Sequence, residues 1–336
     1  MATIRDVARV AGVSPSTVSR VLNDNVPVEI ETRNKVLDSI QKLNYRPNML
    51  AKALKEGKTK TIAFVIPNIE NIIYPSLAIA VEVEARAHGY FVLFCDTQEN
   101  QDREEEYVNR LKKNSVDGFL FATGLADRQS RTILKLNQEN YPVVCLMRET
   151  GDARDAIVSD NEYGGYLGTS YLIEKGHRNI GVITGRSNIV LYKQRSAGYI
   201  KALQEHGISV NPDLIWQGVE NGIEHAQTCV TQQLQAGNIP EAIFAQSDPL
   251  AFDAMIAISQ FGLRVPDDIS VLGFDNALYA KNYKLTTVEQ PLHEMAKEAT
   301  RRLIAIIEKR ESMHRPPKIF SVRICERGSV KDLNQP

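Results

Sequence analysis

Two textures of apolar and polar positions divide the 336 residues. Up to about residue 60 the apolar residues recur three and four apart, the period of one helix face. Ile4, Val7, Ala8 and Ala11 share a side of a first segment, and Val18, Val21 and Leu22 a side of a second. Val36, Ile40 and Leu43 mark a third, read as a helix over 29–44. Thr3 is placed to cap the first helix, with Asp6 three residues on. Gly12 permits the left-handed backbone that ends it. Ser14 caps the second helix, and Pro15 stands at its first position, where a missing N–H costs nothing. Helix, short Gly-containing turn, helix is the helix-turn-helix pattern. Pro47 then interrupts, Asn48 caps a brief helix that Gly57 closes, and the polar run KEGKTK follows. A helix of about nine residues is marginal alone in water, so this one is expected to order only when held.

From Thr61 short apolar runs alternate with amphipathic stretches. TIAFVI, YFVLFC, GFLFA, PVVCL, NIGVIT, LIWQG, AIFAQ and ISVLGFD read as strands. Helices are expected at 75–88, through Tyr107 and Leu111, and near 162–175, 193–206, 225–235 and 250–260. Such alternation predicts parallel sheets covered on both faces, and the count suits two Rossmann-like lobes better than one sheet. In these sheets ligands bind beyond the carboxyl ends of the strands, which here should border one cleft.

Composition narrows the picture. A chain of this length is expected to form two or three domains, and 43% hydrophobic with 24% charged residues describes a soluble globular protein. No apolar run approaches a bilayer span. The opening MATIRDVARV carries Arg5, Asp6 and Arg9, unlike a signal peptide, so a cytoplasmic location is expected. Residues 1–60 hold 11 Lys and Arg against 6 Asp and Glu, and the remainder 29 against 35. A basic head on a mildly acidic body suits a polyanionic partner. Cys95, Cys145, Cys229 and Cys325 are far apart, giving neither a zinc site nor a disulfide framework. The first two and Cys325 lie in apolar runs and read as inert buried thiols. No GxSxG, HExxH or Walker pattern is present, so an enzyme is not expected, and no cofactor or metal. His177, in the turn GHRNIG, reads as structural.

The blocks TIRDVARVAGVSPSTVSRVLN and TRNKVLDSIQKLNYRPNMLAKAL resemble the lactose-repressor/galactose-repressor family of bacterial transcription regulators. The resemblance continues through VDGFLF, GHRNIGVITG, RSAGYIKAL, GLRVPDDISVLGFDN and LTTVEQP, spanning nearly the whole chain. It implies an all-α helix-turn-helix headpiece (1–46), a hinge helix and linker (47–60), and a two-lobed core like a periplasmic binding protein (61–336). The core's N-subdomain would take 61–160 plus 290–322, and its C-subdomain 161–289 plus 323–336. It also implies a homodimer on a pseudo-palindromic double-stranded operator, with no membrane partner. Second helices would enter the major groove and paired hinge helices the minor groove, and a small effector in the cleft would alter this geometry. The tail ERGSVKDLNQP lacks the leucine heptads of tetrameric members.

With Val18, Val21 and Leu22 inward, Pro15, Ser16 and Arg20 look outward. Arg20 suits guanine O6 and N7, with a surface ion pair as the bland alternative. Ser16 suits a base edge or phosphate, and Pro15 only apolar contact. Thr3, Ser14, Thr17, Ser19 and Asn23 are placed as backbone-side contacts, plain solvation being the rival for Thr17, Ser19 and Asn23. Tyr45 and Asn48 suit phosphates. Leu54 matches the family leucine that wedges between base steps, and small Ala51 and Ala53 suit close approach. Glu29 stands where the family often has a serine cap.

For the cleft, Asp275 and Arg195 match family ligand contacts, and Tyr74, Ser247, Asp248 and Asp160 follow predicted strands. Asp248 reads equally well as a helix cap. Met147 replaces a common aspartate, with Arg148 next to it, and Glu220 replaces a stacking aromatic ring. These departures argue against a simple neutral hexose or a purine base. Lys193 near Arg195 raises an anionic effector, a sugar phosphate or sugar acid, against the plainer reading of a solvated lysine. The rival functions are an enzyme and a non-enzymatic sugar-binding protein with no role at genes, which would lack the basic head.

Overall fold

The computed structural model describes residues 2–23, 27–45, 58–113, 115–123, 130–148, 155–220, 223–312 and 315–335. The chain divides into two compact units, Met1–Thr59 and Lys60–Pro336.

The first unit contains α1 (Ile4–Ala11), α2 (Pro15–Asn23) and α3 (Ile30–Lys42). Thr3 and Asp6 form a reciprocal capping box at the start of α1. Gly12 closes that helix at φ 68°, its N–H donating to the carbonyls of Ala8 and Arg9. Val7, Ala8, Val18, Val21 and Val36 make the core, with Ile4, Ala11, Leu22, Ile40, Leu43 and Tyr45 packed around it. The third helix is shorter at both ends than 29–44, and Glu29 makes no side-chain cap bond.

The second unit holds two six-stranded sheets. In chain order its elements are β1 (Thr61–Ile66), α4 (Ile73–Ala87), β2 (Phe91–Asp96), α5 (Gln101–Leu111), β3 (Gly118–Phe121), α6 (Arg131–Gln138), β4 (Val143–Leu146) and β5 (Ala156–Ser159). There follow α7 (Asn161–Glu174), β6 (Ile180–Thr184), α8 (Val190–Glu205), β7 (Ile215–Gln217), a small hairpin β8 (Val219–Glu220) and β9 (Ile223–Glu224), α9 (Gln227–Gln235), β10 (Ala242–Ala245), α10 (Asp248–Gln260), β11 (Ser270–Asp275) and β12 (Thr286–Glu289). The chain ends with α11 (Leu292–Ile307), β13 (Lys318–Phe320) and β14 (Arg323–Cys325).

One sheet has the order β13-β5-β4-β3-β1-β2, the other β14-β12-β11-β10-β6-β7. All pairs are parallel except β12 with β14. The chain therefore passes between the sheets after β5, after β12 and between β13 and β14. The late helix α11 returns to the first sheet, burying Met295, Ala296, Ala299, Leu303, Ile304 and Ile307 with the apolar face of α4. Each fully buried Leu or Ile contributes about 1.5–3 kcal/mol, so this helix is a main support of that lobe.

In the second lobe α7 and α8 pack almost backbone to backbone. A Cβ on Gly198 would lie 2.0 Å from the Glu162 carbonyl oxygen, and one on Gly165 2.1 Å from the Arg195 carbonyl oxygen. Only glycine tolerates such an approach. Replacing Gly198 with Ala is expected to cost about 2–3 kcal/mol in urea unfolding of the full chain. An unchanged midpoint and slope would show that the helices have room to spare.

Candidate nucleic-acid interface and ligand cleft

On the first unit, α2 buries Val18 and Val21 and leaves Pro15, Ser16 and Arg20 exposed. Ser14 accepts from the Thr17 N–H at 3.1 Å, the N-cap bond. Its hydroxyl also shares hydrogen bonds with those of Ser16 at 2.7 Å and Thr17 at 2.9 Å. The dense hydroxyls thus knit the helix start together, and Thr17 and Ser19 are half-buried. Thr3 is exposed and bonded to Asp6, its hydroxyl donating at 2.7 Å. The backbone N–H and hydroxyl of Thr3 hold the Asp6 carboxyl below its usual range. Tyr45 packs against the helical core. Asn48, Ala51 and Leu54, with Ala53 and the side chain of Asn23, lie outside the described residues.

In the second unit the carboxyl ends of β1, β2, β4, β6 and β10 deliver the lining of one cavity of about 150 Å³. Pro67 and Asn68 follow β1, Glu99 follows β2, Arg148 follows β4, Arg186 follows β6 and Pro249 follows β10. Tyr74 lines it from the first turn of α4. Residues of both sheets thus meet around one space, as strand-end topology requires. Arg148 is 3% exposed. Its two terminal nitrogens donate to the two oxygens of Glu99 at 3.1 and 2.9 Å, a bidentate charged pair.

Arg195 and Asp275 meet in the interior. Arg195 is 2% exposed. It donates from Nε to Asn161 at 2.9 Å, from a terminal nitrogen to the Gln246 carbonyl, and lies 3.7 Å from Asp275 Oδ1. Its guanidinium rests over the Phe274 ring, 3.5 Å from the centroid. Asp275 also accepts from Gln290 and has φ 117°, a backbone conformation that L-residues rarely adopt.

Asp248 lies at the start of α10, entirely buried. It accepts from the Ala277 N–H at 2.6 Å and the Thr287 hydroxyl at 2.7 Å. Burial pushes its carboxyl up to about 6 against those donors. It therefore braces the loop after β11. Ser247 is buried as the N-cap residue of α10 without a side-chain cap bond. Met147 has φ 65° and lines a second cavity of about 190 Å³ with Asp160 and Asn161. Asp160 caps α7, accepting from the Tyr163 N–H at 3.0 Å. Lys193 is exposed and outside both linings. The side chain of Glu220 lies outside the described residues.

The structure thus brings Tyr74 together with Arg148, Glu99 and Arg186, pairs Arg195 with Asp275, and leaves Lys193 apart. Sequence reasoning missed Glu99, Arg186, Asn68 and Asn71. Their one signal was position just past a strand. All four cysteines are free thiols, and Cys325 is half-buried rather than sealed. His177 is buried, its Nε2 3.1 Å from the Lys331 carbonyl, and burial lowers its pKa. Among the described residues no helix is long and apolar enough to cross a membrane.

A capped three-helix unit, followed in the chain by a two-sheet unit with a polar cleft, defines a DNA-binding regulator with a small-molecule-binding core. Residues 3–48 match the model of bacterial regulatory proteins of the lacI family, and residues 169–330 that of a periplasmic binding protein-like domain. The chain is 35% identical over 342 residues to the HTH-type transcriptional repressor PurR of Actinobacillus pleuropneumoniae serotype 3 (strain JL03), covering all of both chains. It is 38% identical over 296 residues to PurR of Pasteurella multocida (strain Pm70), covering 86% of this chain and 87% of that one. Among solved structures it is similar to the lac repressor dimer bound to operator and the anti-inducer ONPF. That likeness has a TM-score of 0.87 and 26% identity, over 98% of this chain and 99% of that one. It is also similar to the transcriptional regulator CelR in complex with cellobiose, with a TM-score of 0.73 and 27% identity over 98% and 100%. The chain belongs to the lactose-repressor/galactose-repressor family of transcriptional regulators.

Replacing Thr3 with Ala removes the capping box and is expected to destabilise α1 by about 1 kcal/mol. Amide exchange over residues 4–11 should quicken while that of β1 and β6 holds. Unchanged exchange in α1 would show that the cap contributes nothing.

Proposed function

We propose that this chain is a cytoplasmic repressor that binds a pseudo-palindromic operator as a homodimer and is switched by a sugar or sugar derivative in the cleft between its sheets. It works by binding and catalyses nothing. The observation that carries the reading is α2: a short, well-capped helix with a valine-lined inner face and Pro15, Ser16 and Arg20 outward. Small outward residues let a helix lie close to a groove, and Arg20 supplies the long bidentate donor for guanine. Thr3, Ser14, Thr17, Ser19 and Tyr45 border that face as candidates for phosphate contact. Asn48, Ala51 and Leu54 take the hinge role, Leu54 as the wedge that bends the duplex.

Exposed apolar surface supports the dimer. On the edge strand β2, Phe91 is 69% exposed, with Leu93 and Phe94 beside it, and Ile79 and Val83 face outward on α4. Leu278, Tyr279 and Tyr283 form a second exposed set in the other lobe. An apolar edge strand of this kind needs covering. The lac repressor in the operator complex to which this chain is similar is a dimer. The cleft reading draws on the cavity and on the cellobiose complex of the similar regulator. Tyr74 lines the cavity, and the relatives' name PurR makes a purine base the comparison ligand for any effector panel.

Selection of operators from random DNA should yield two inverted half-sites. Arg20→Ala should weaken binding to the selected operator by roughly 1–3 kcal/mol and relax one base position per half-site. Equal loss on every operator variant would reduce Arg20 to a phosphate contact. Phe91→Asp combined with Leu278→Asp should yield monomers in analytical ultracentrifugation, and a wild type already monomeric at micromolar concentration would remove the dimer from the account.

A further inference from the structure

We propose that Glu99, held by Arg148, sets the ligand charge the cleft accepts: its carboxylate takes the hydroxyl of a neutral polyhydroxy ligand and turns anions away. The proposal rests on the cleft reading above and deepens it. Arg148 is buried in the wall of the cavity, and its terminal nitrogens are both committed to Glu99. The bidentate pair fixes the plane of the Glu99 carboxylate, whose side chain stays 17% exposed at the cavity. A carboxylate that accepts two bonds from arginine keeps lone pairs for further donors. Glu99 therefore offers an acceptor to the O–H of a hydroxyl that enters the cavity.

The charges around the space cancel. Arg148 and Arg186 face Glu99 and Glu70 among the lining residues. Burial works to raise the Glu99 carboxyl, but the Arg148 guanidinium overrides it and holds the group below its usual range, so Glu99 is ionised at neutral pH. An incoming carboxylate or phosphate meets that charge. To reach Arg148 it has to displace Glu99 and leave a largely buried carboxylate unpaired, which is unfavourable. The other lining cation, Arg186, already acts on the Glu99 charge, and among the described residues no further cation stands in the lining. Lys193 points to solvent outside the lining, and Arg195 is matched by Asp275 and committed to Asn161 and the Gln246 carbonyl. Tyr74, Ile72, Pro67 and Pro249 complete the wall with apolar surface suited to the C–H face of a sugar ring.

Glu99→Gln tests this directly because it keeps the shape and removes the counter-charge. Isothermal titration of the full-length protein would compare ribose and glucose with gluconate and glucose 6-phosphate. The wild type should bind a neutral member and neither anion. In E99Q the neutral ligand should weaken by about tenfold or more, while an anion gains by a similar factor from the unmatched guanidinium. E99Q/R148Q, which removes both charges together, should lose that anion binding while keeping the wild-type circular dichroism. A wild type that binds an anion more tightly than its neutral counterpart, or an E99Q ratio equal to the wild-type ratio, overturns the assignment and leaves the cleft reading standing. Failure of every sugar to bind wild-type protein that still binds operator overturns both.

Discussion

Arg195 is a charge sealed inside the second lobe, and the ground between the two sheets is arranged around it. An unpaired buried guanidinium would cost several kcal/mol, so its partners have to be held in place. They come from three directions. Asn161 opens α7 just after β5, the Gln246 carbonyl immediately follows β10, and Asp275 ends β11. Phe274 closes the remaining face. The backbone of the arginine is in turn pressed against Gly165. One side chain therefore ties a crossover segment to the strand ends that border the cleft. The positive φ of Asp275 belongs to the same arrangement, since the chain bends sharply to deliver that carboxylate inward.

The first lobe uses a different solution at its own strand ends. There Arg148 and Glu99 neutralise each other in the cavity wall, and the pair keeps polar edges toward the space. The two lobes thus meet across a charge-balanced cleft, one side braced by an internal pair and the other presenting one. Because the connecting segments pass between the sheets three times, a ligand that contacts both sides has leverage on their relative placement. That is the physical requirement for a small molecule to alter distant binding.

Much of this was legible from residue patterns, for reasons that differ by region. The headpiece faces were readable because three short helices have only one way to bury Val7, Val18, Val21 and Val36 together. The alternation after Thr61 announced parallel sheets, since strands buried on both faces are near-continuous apolar runs. The helix α11 went unread although its apolar spacing is regular, and its return to the first lobe is a long-range fact that periodicity does not carry. Strand-end position points to Tyr74, which lines the cavity, and the resemblance points to Arg195 and Asp275, which pair in the interior. Lys193 suggests a ligand contact because it stands two residues from Arg195, but residues two apart on a helix do not share a face. Both lie in the helix from Val190 to Glu205, which buries Arg195 and leaves the lysine exposed. Glu99 sits in the polar run DTQENQDREEE, where it looks like one acidic residue among many. Its meaning comes from Arg148, 49 positions away.

The central claim is that the cleft and the DNA-reading face are coupled. Linkage makes this measurable without knowing the sign of the effect. Operator affinity would be titrated by fluorescence anisotropy with and without a saturating cleft ligand, and ligand affinity with and without saturating operator, at one fixed salt concentration. The account predicts that the two ratios are equal and differ from one, in the range of about 5- to 150-fold. A ligand that binds the cleft while leaving operator affinity unchanged would contradict it.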